Sequence, residues 1–87
     1  MNKPKYIIKS IQPRSGELRD VHQRMLNKKC NIFDLEIGFS AILEVHTDDS
    51  ETWHRMVYTS IVRDFVEDDN GDLIIETKNT TYELKKI

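Results

Sequence analysis

The chain has 87 residues, of which 38% are hydrophobic and 32% charged, and its formal net charge is −2. This length fits a single domain, 1–87, because domains typically contain about 50 to 250 residues. The one cysteine cannot form an internal disulfide, and no apolar stretch approaches the ~20 residues of a membrane span. The N-terminus lacks the apolar core of an export signal, so we expect a cytoplasmic protein that makes no membrane contact.

The net charge changes sign along the chain. Residues 1–30 carry +6, residues 31–76 carry −10, and residues 77–87 carry +2. Such an asymmetry indicates an interaction surface only if folding keeps the two signs apart in space. In an antiparallel fold, basic strands can instead pair beside acidic ones, and the charges then cancel. The fold therefore decides what this charge pattern means.

The N-terminal third predicts one strand followed by one short helix. Residues 6–11 are rich in β-branched and aromatic side chains, and Pro13 closes the strand because it cannot donate a ladder hydrogen bond. Over residues 18–26, four apolar side chains and a histidine then follow the spacing of an amphipathic helix. Ser15 is the predicted N-cap of this helix. A long loop containing a single turn is the alternative.

From Cys30 onward the apolar residues recur with the period of two that is typical of strands. Gly38 interrupts the first of these runs, and a polar loop over 47–52 interrupts the next. The Asn-Gly pair within Asp69–Asp72 predicts a type I′ hairpin, since both residues tolerate a positive φ. The predicted strands are residues 30–37, 39–46, 53–66, 72–77 and 81–84.

Short strands, tight hairpins and one early helix predict a mainly β protein. We expect a small antiparallel barrel of five to six strands, with the short helix after the first strand. Closing a sheet into a barrel removes the exposed strand edges that promote aggregation. The predicted core takes apolar residues from every element: Ile7, Leu26, Ile32, Phe33, Leu35, Leu43, Val57, Ile61, Phe65, Ile74 and Leu84.

The C-terminal part of the chain resembles a known group of barrels. The residues that carry the resemblance are Tyr58–Val62, the Asn-Gly hairpin, and the ending Thr-x-Asn-Thr-x-Tyr-x-Leu over 77–84. They are similar to small uncharacterised SH3-like barrel proteins of Gram-positive bacteria and their phages, over roughly the last thirty residues, with Cys30–Gly38 as weaker support. The resemblance implies an SH3-like barrel and a phage or mobile-element origin, without an activity.

No pattern of side chains predicts catalysis or metal binding. The histidines and the cysteine do not stand at the paired spacing of a zinc site, and Asp68–Asp72 does not continue into an EF-hand loop. Cys30 could act as a nucleophile activated by His22, but cysteine is more often buried, and the neighbours of Cys30 are apolar. We therefore predict no enzyme activity, no cofactor and no metal.

The function we rank first is a non-enzymatic binding module. Its predicted partner is another protein or a second copy of the chain. A cluster that directly follows the polar loop contains residue types enriched at interface hot spots: Trp53, His54, Arg55 and Tyr58. The competing interpretation is that Trp53 plugs one end of the barrel, because a single Trp in a small domain is usually part of the core.

Nucleic-acid binding is the alternative function. Small barrels often combine a positive surface with aromatic side chains on which bases stack, and Tyr6 could serve as such a platform. An isoelectric point near 5.9 opposes this interpretation, since acidic residues repel phosphates unless the fold separates them from the basic ones. The candidate residues lie in the basic N-terminal third: Lys5, Lys9, Arg14, Arg19, Arg24, Lys28 and Lys29.

Overall fold

The computed structural model describes residues 3–46 and 54–87. Strands that follow one another in the chain pair antiparallel, and the first strand pairs with the last, so six strands close into a barrel. The predicted mainly β antiparallel barrel, with a short helix after its first strand, is confirmed. Its elements are β1 (Tyr6–Pro13), α1 (Asp20–Met25), β2 (Lys29–Asp34), β3 (Ser40–His46), β4 (His54–Glu67), β5 (Leu73–Thr77) and β6 (Thr80–Lys86).

The two pairings of β1 that close the barrel differ greatly in length. β1 pairs with β6 along its whole length, from Tyr6 to Pro13, but with β2 only at Tyr6 and Ile7. Beyond these pairs, the chain just before β2 continues the contact: the N–H of Ile8 donates to the carbonyl of Lys28, and the N–H of Asn27 donates to the carbonyl of Ile8. The segment that contains helix α1 therefore takes the place of a longer β1–β2 ladder.

Helix α1 is shorter than its apolar pattern predicts. It begins at Asp20, and Leu18 lies outside it with 41% of its surface exposed. The predicted cap at Ser15 is wrong, because the Ser15 hydroxyl accepts a hydrogen bond from the N–H of Glu17 instead. The helix start is stabilised by Nδ1 of His22, which accepts a hydrogen bond from the N–H of Arg19 at 3.3 Å. His22 thus acts at the first turn while being buried against the barrel.

The core is built from inward-facing residues of every strand together with Met25 of the helix. Of the predicted core residues, Leu43 and Leu84 are fully buried, and Leu26, Ile32, Leu35 and Val57 pack against the core from partly buried positions. Ile7 is half-buried. The buried hydrophobic residues are Ile8, Ile11, Met25, Cys30, Ala41, Leu43, Val45, Val62, Leu73, Ile75, Tyr82 and Leu84.

Four predicted core residues lie on the surface instead. Phe33 is 68% exposed, Ile61 is 50% exposed, and Phe65 and Ile74 are also exposed. Phe33 and Ile61 lie at or beside shifts in strand register, between Ile32 and Asp34 in β2 and within β4, and such bulges reverse which residues point inward. Phe65 lies opposite the inward-facing Ile75 but is still 37% exposed. For Ile74 the prediction chose the wrong face of β5, because its neighbours on both sides are the residues that face the core.

The hairpin between β4 and β5 is correctly located, but its predicted type is wrong. A type I′ turn needs positive φ at both central residues, whereas in this loop only Gly71 has it, at +86°. The N–H of Gly71 donates to the carbonyl of Asp68, as in a type I turn followed by a glycine bulge. One carboxylate oxygen of Asp68 accepts the N–H groups of Asn70 and Asp72, both at 2.9 Å, and so holds the loop closed.

Gly71 is a turn residue whose replacement is expected to reduce stability. A Cβ at this position would lie 2.6 Å from Cδ of Lys86, in addition to the backbone strain of positive φ. At Gly16, where φ is +82°, a Cβ would meet nothing within 4 Å. Because the exposed side chain of Lys86 can move aside, we expect Gly71→Ala and Gly16→Ala each to destabilise the fold by about 1 kcal/mol through backbone strain, measured by urea unfolding.

The comparison of the two variants tests whether backbone strain is the whole cost at Gly71. Lys86→Ala alone should change stability little because the side chain is exposed, and adding it to Gly71→Ala should therefore recover little. Recovery of about 1 kcal/mol or more in the double variant would contradict this explanation.

Candidate binding surfaces

Of the residues predicted to form a protein-binding cluster, Arg55 and Tyr58 do not share one surface. Trp53 lies outside the described residues, so its role stays a prediction, and His54 opens β4 opposite His46. Arg55 pairs with the inward-facing Val45, whereas Tyr58 points outward from the barrel with 67% of its surface exposed. The alternation of side chains along β4 thus assigns Arg55 and Tyr58 to opposite faces of the strand.

Tyr58 belongs to an exposed apolar surface on the outside of the barrel, which we call the aromatic face. Its members are each at least half exposed, although large apolar side chains are usually buried. They come from the end of β2, the β2–β3 turn and the middle of β4. The aromatic face comprises Phe33 (68% exposed), Ile37 (56%), Phe39 (60%), Tyr58 (67%) and Ile61 (50%).

Strand pairing brings the parts of the aromatic face together. Ile42 of β3 lies directly opposite Tyr58, and Ser40 lies opposite Ile61. The β2–β3 turn is attached to β4 by two hydrogen bonds of 2.9 Å, from the N–H of Gly38 to the carbonyl of Val62 and from the N–H of Val62 to the carbonyl of Phe39. The apolar side chains of the turn are therefore held next to those of β4.

The charges around the aromatic face are mostly negative. Asp34 lies opposite Ile42 on the same outer surface, and Glu36 follows in the turn. On β4, Arg63 and Asp64 come directly after the inward-facing Val62, and both are exposed. The apolar surface is thus bordered by three carboxylates and one guanidinium group, which favours a partner with positive charge at its edges.

Four lysines gather on the other side of the barrel, around β1. Lys29 of β2, Ile7 of β1 and Lys85 of β6 lie opposite one another in a row across three strands. Lys5 lies two residues before Ile7 and Lys9 lies two residues after it, so both lysines are on the same outer side of the barrel as Ile7. Both are exposed. We call Lys5, Lys9, Lys29 and Lys85 the lysine face. The lysine face centres on β1 and the aromatic face on β4, three strands away in the barrel, although β2 contributes Lys29 to the first and Phe33 to the second.

The remaining predicted nucleic-acid residues lie elsewhere. The guanidinium of Arg14 forms an ion pair with Glu76 at 3.0 Å and donates to the carbonyl of Lys78 at 2.8 Å, so Arg14 ties β1 to the β5–β6 turn. Arg19 stands at the start of α1, and Arg24 lies on the helix. The structure thus groups Lys5, Lys9 and Lys29 but separates them from the arginines.

A groove of about 530 Å³ lies between α1 and the strand pair β3–β4, and we call it the cationic groove. The apolar side chains of Val21, Leu26 and Val57 line it, and each of them also packs against the barrel core. Three cationic residues line it as well: Arg24, Lys28 and Arg55. No Asp or Glu stands among the described residues that line it.

Cys30 and His22 have environments that do not favour nucleophilic catalysis. Cys30 is completely buried, and burial raises the pKa of its thiol to about 12. The pKa of His22 is lowered by burial and by the nearby charge of Arg19, and its Nδ1 already accepts a backbone N–H. In the described part of the chain, no three His, Cys, Asp or Glu side chains group as metal ligands would.

Comparisons with known proteins give no match: no family model, no curated protein and no solved structure matches the chain. The likeness to SH3-like barrels of bacteria and phages therefore stays a prediction. Within residues 3–46 and 54–87, no helix is long and apolar enough to cross a membrane.

Proposed function

We propose that this protein is a non-enzymatic, cytoplasmic binding module, encoded by a phage or other mobile element, that binds a partner protein through the aromatic face. The observation that carries the proposal is the exposure of Phe33, Phe39 and Tyr58, each with 60% or more of its surface in water. Tyr is among the residues most enriched at interface hot spots, and Phe is also enriched in interface cores.

The size of the aromatic face suits one side of a protein interface. Its five side chains together expose on the order of 500 Å². A stable interface of standard size buries about 800 Å² on each partner. The apolar centre would thus supply more than half of that area, and the surrounding polar residues would supply the rim.

Charge indicates what the partner carries at its edge. Two copies of this chain facing each other through the aromatic face would bring together two borders that are both mostly acidic, and this repulsion disfavours self-association. A different protein that surrounds an apolar surface with Lys or Arg would complement these carboxylates. The proposed occupant is therefore a basic-edged apolar segment of another protein.

Selection from a random peptide library displayed on phage tests this proposal. We expect enriched peptides to combine aromatic or branched aliphatic residues with Lys or Arg, and to shift the backbone amide NMR signals of β3 and β4. The double variant Phe33→Ser/Tyr58→Ser should weaken their binding by about a hundredfold, since each anchor contributes on the order of 1–2 kcal/mol. It should still fold, because both side chains are largely exposed.

The matched control is Ile74→Ser, which removes an exposed apolar residue from the outside of β5. It should bind the peptides as the wild type does. Enriched peptides that bind the double variant as tightly as the wild type would contradict the proposal. So would a dimer, detected by light scattering, that the double variant abolishes.

Single-stranded nucleic acid is the second candidate ligand, because four lysines share the lysine face. The double variant Lys9→Glu/Lys85→Glu should weaken binding of a fluorescent oligonucleotide and flatten its salt dependence, measured by anisotropy. Arg63→Glu, on the opposite side of the barrel, is the control. An affinity that both variants leave unchanged would exclude this candidate.

A further inference from the structure

The cationic groove is a second recessed surface, separate from the aromatic face. Arg55, which lines it, and Tyr58 point to opposite sides of β4. The groove combines three positive charges with the half-buried apolar side chains of Val21, Leu26 and Val57, although the whole chain has a net charge of −2. Such local segregation of positive charge in an acidic protein is the kind of feature that selects an anionic ligand.

We propose that the cationic groove binds an acidic segment of a partner protein, with one bulky apolar side chain on its floor and flanking carboxylates on Arg24, Lys28 and Arg55. The floor offers only aliphatic side chains, which suit an aliphatic or aromatic residue. The two guanidinium groups can each hold a carboxylate through paired hydrogen bonds. This site does not depend on the aromatic face, so either proposal can fail without the other.

The shape and lining of the groove favour a peptide over other anionic ligands. The groove is partly open to solvent. A lipid chain or a nucleotide usually has most of its surface enclosed by its site. Among the described lining residues there is also no aromatic side chain on which a base could stack. A peptide needs only one side chain enclosed, while its backbone can stay in water.

The groove is assembled from elements that fix its geometry. Met25 of α1 and Val45 of β3 are both buried, so the helix and the strand that form its two walls are held by the core. The backbone after the helix is also fixed, since the carbonyl of Lys28 accepts the N–H of Ile8 at 2.9 Å. A ligand would therefore bind to charged residues whose backbone positions are already fixed, which lowers the entropic cost of binding.

The test uses a short fluorescein-labelled peptide of Asp and Glu residues around one central leucine, titrated with the full chain by anisotropy. We expect measurable binding that weakens as salt is added. A peptide with glycine in place of the leucine, and one with lysines in place of the acidic residues, should each bind at least tenfold more weakly. Amide NMR shifts should concentrate at α1, the end of β3 and the start of β4.

Two charge-reversal variants locate the site. Arg24→Glu and Arg55→Glu alter exposed side chains and should each weaken binding of the acidic peptide by about fivefold or more. Arg63→Glu makes the same change of charge further along β4, and it should leave binding within twofold of the wild type. Circular dichroism and urea unfolding confirm that all three variants fold.

Several results would overturn the inference. Equal weakening by Arg63→Glu would show that the peptide responds only to total charge. Equal affinity for the leucine peptide and the glycine peptide would show that the apolar floor of the groove does not contribute to binding. An oligonucleotide or an anionic phospholipid vesicle that displaced the peptide, and lost its own binding in Arg24→Glu, would assign the groove to a different class of ligand.

Discussion

Raising the pH from 9 to 12 is expected to reduce the free energy of unfolding by about 4 kcal/mol through Cys30 alone. The ordinary thiol pKa is 9.0, and burial raises that of Cys30 to about 12. Each pKa unit of difference between the folded and unfolded states corresponds to about 1.4 kcal/mol. Because the folded-state pKa is the higher one, this stability is complete below pH 9 and is lost progressively as the pH rises to 12.

Urea unfolding at a series of pH values from neutrality into the alkaline range measures this loss. Cys30→Ala is the comparison, since it removes the thiol while keeping a small apolar side chain. The variant should start from a lower stability and lose less of it as the pH rises. It should not become pH-independent, because burial also raises the pKa of Tyr82 in the folded state. Parallel curves for both proteins would contradict the burial of Cys30.

Thr77→Val is expected to destabilise the protein by about 3 kcal/mol, although valine has nearly the same shape as threonine. Thr77 is completely buried, and its Oγ1 makes three hydrogen bonds. It accepts from the hydroxyl of Ser60 at 2.8 Å and from the N–H of Thr80 at 3.1 Å, and it donates to the carbonyl of Thr80 at 2.7 Å. Each buried group left without a partner costs about 1–3 kcal/mol.

Two variants separate the loss of the hydroxyl from other effects. Thr81→Val makes the same chemical change at a half-buried position on the outer side of β6, and should alter stability by no more than about 0.5 kcal/mol. Thr77→Ser keeps the hydroxyl and removes one methyl group, so it should cost about 1 kcal/mol. If Thr77→Val proved no worse than Thr77→Ser, the hydrogen bonds would not be what stabilises this turn.

The sequence pattern predicts this fold well where strands are regular. In β3 the apolar residues at every second position, Ala41, Leu43 and Val45, are the ones that face the core. The pattern fails at bulges, because the position of a bulge depends on pairing with strands distant in the chain. At the bulge in β4, for example, the hydroxyl of Thr59 accepts the N–H of Ala41, a contact that no local period reveals.

The candidate surfaces were less predictable for the same reason. The aromatic face exists because Phe33 and Ile61 point outward at register shifts, whereas their hydrophobicity predicts burial. The cationic groove joins Arg24 on the helix with Arg55 on β4, which are far apart in sequence. Tyr58, which residue type alone nominated for protein binding, is exposed, and its binding role stays a prediction.

The pairing of β1 with β6 also determines when the protein can fold during its synthesis. Tyr6 lies opposite Lys86, and the N–H of Ile87 donates to the carbonyl of Lys5, so the barrel joins nearly the first and last residues of the chain. Until residues 80–86 have left the ribosome, the barrel cannot close, because β1 has no partner along most of its length. Closure therefore waits for the emergence of β6, although β1 is made much earlier.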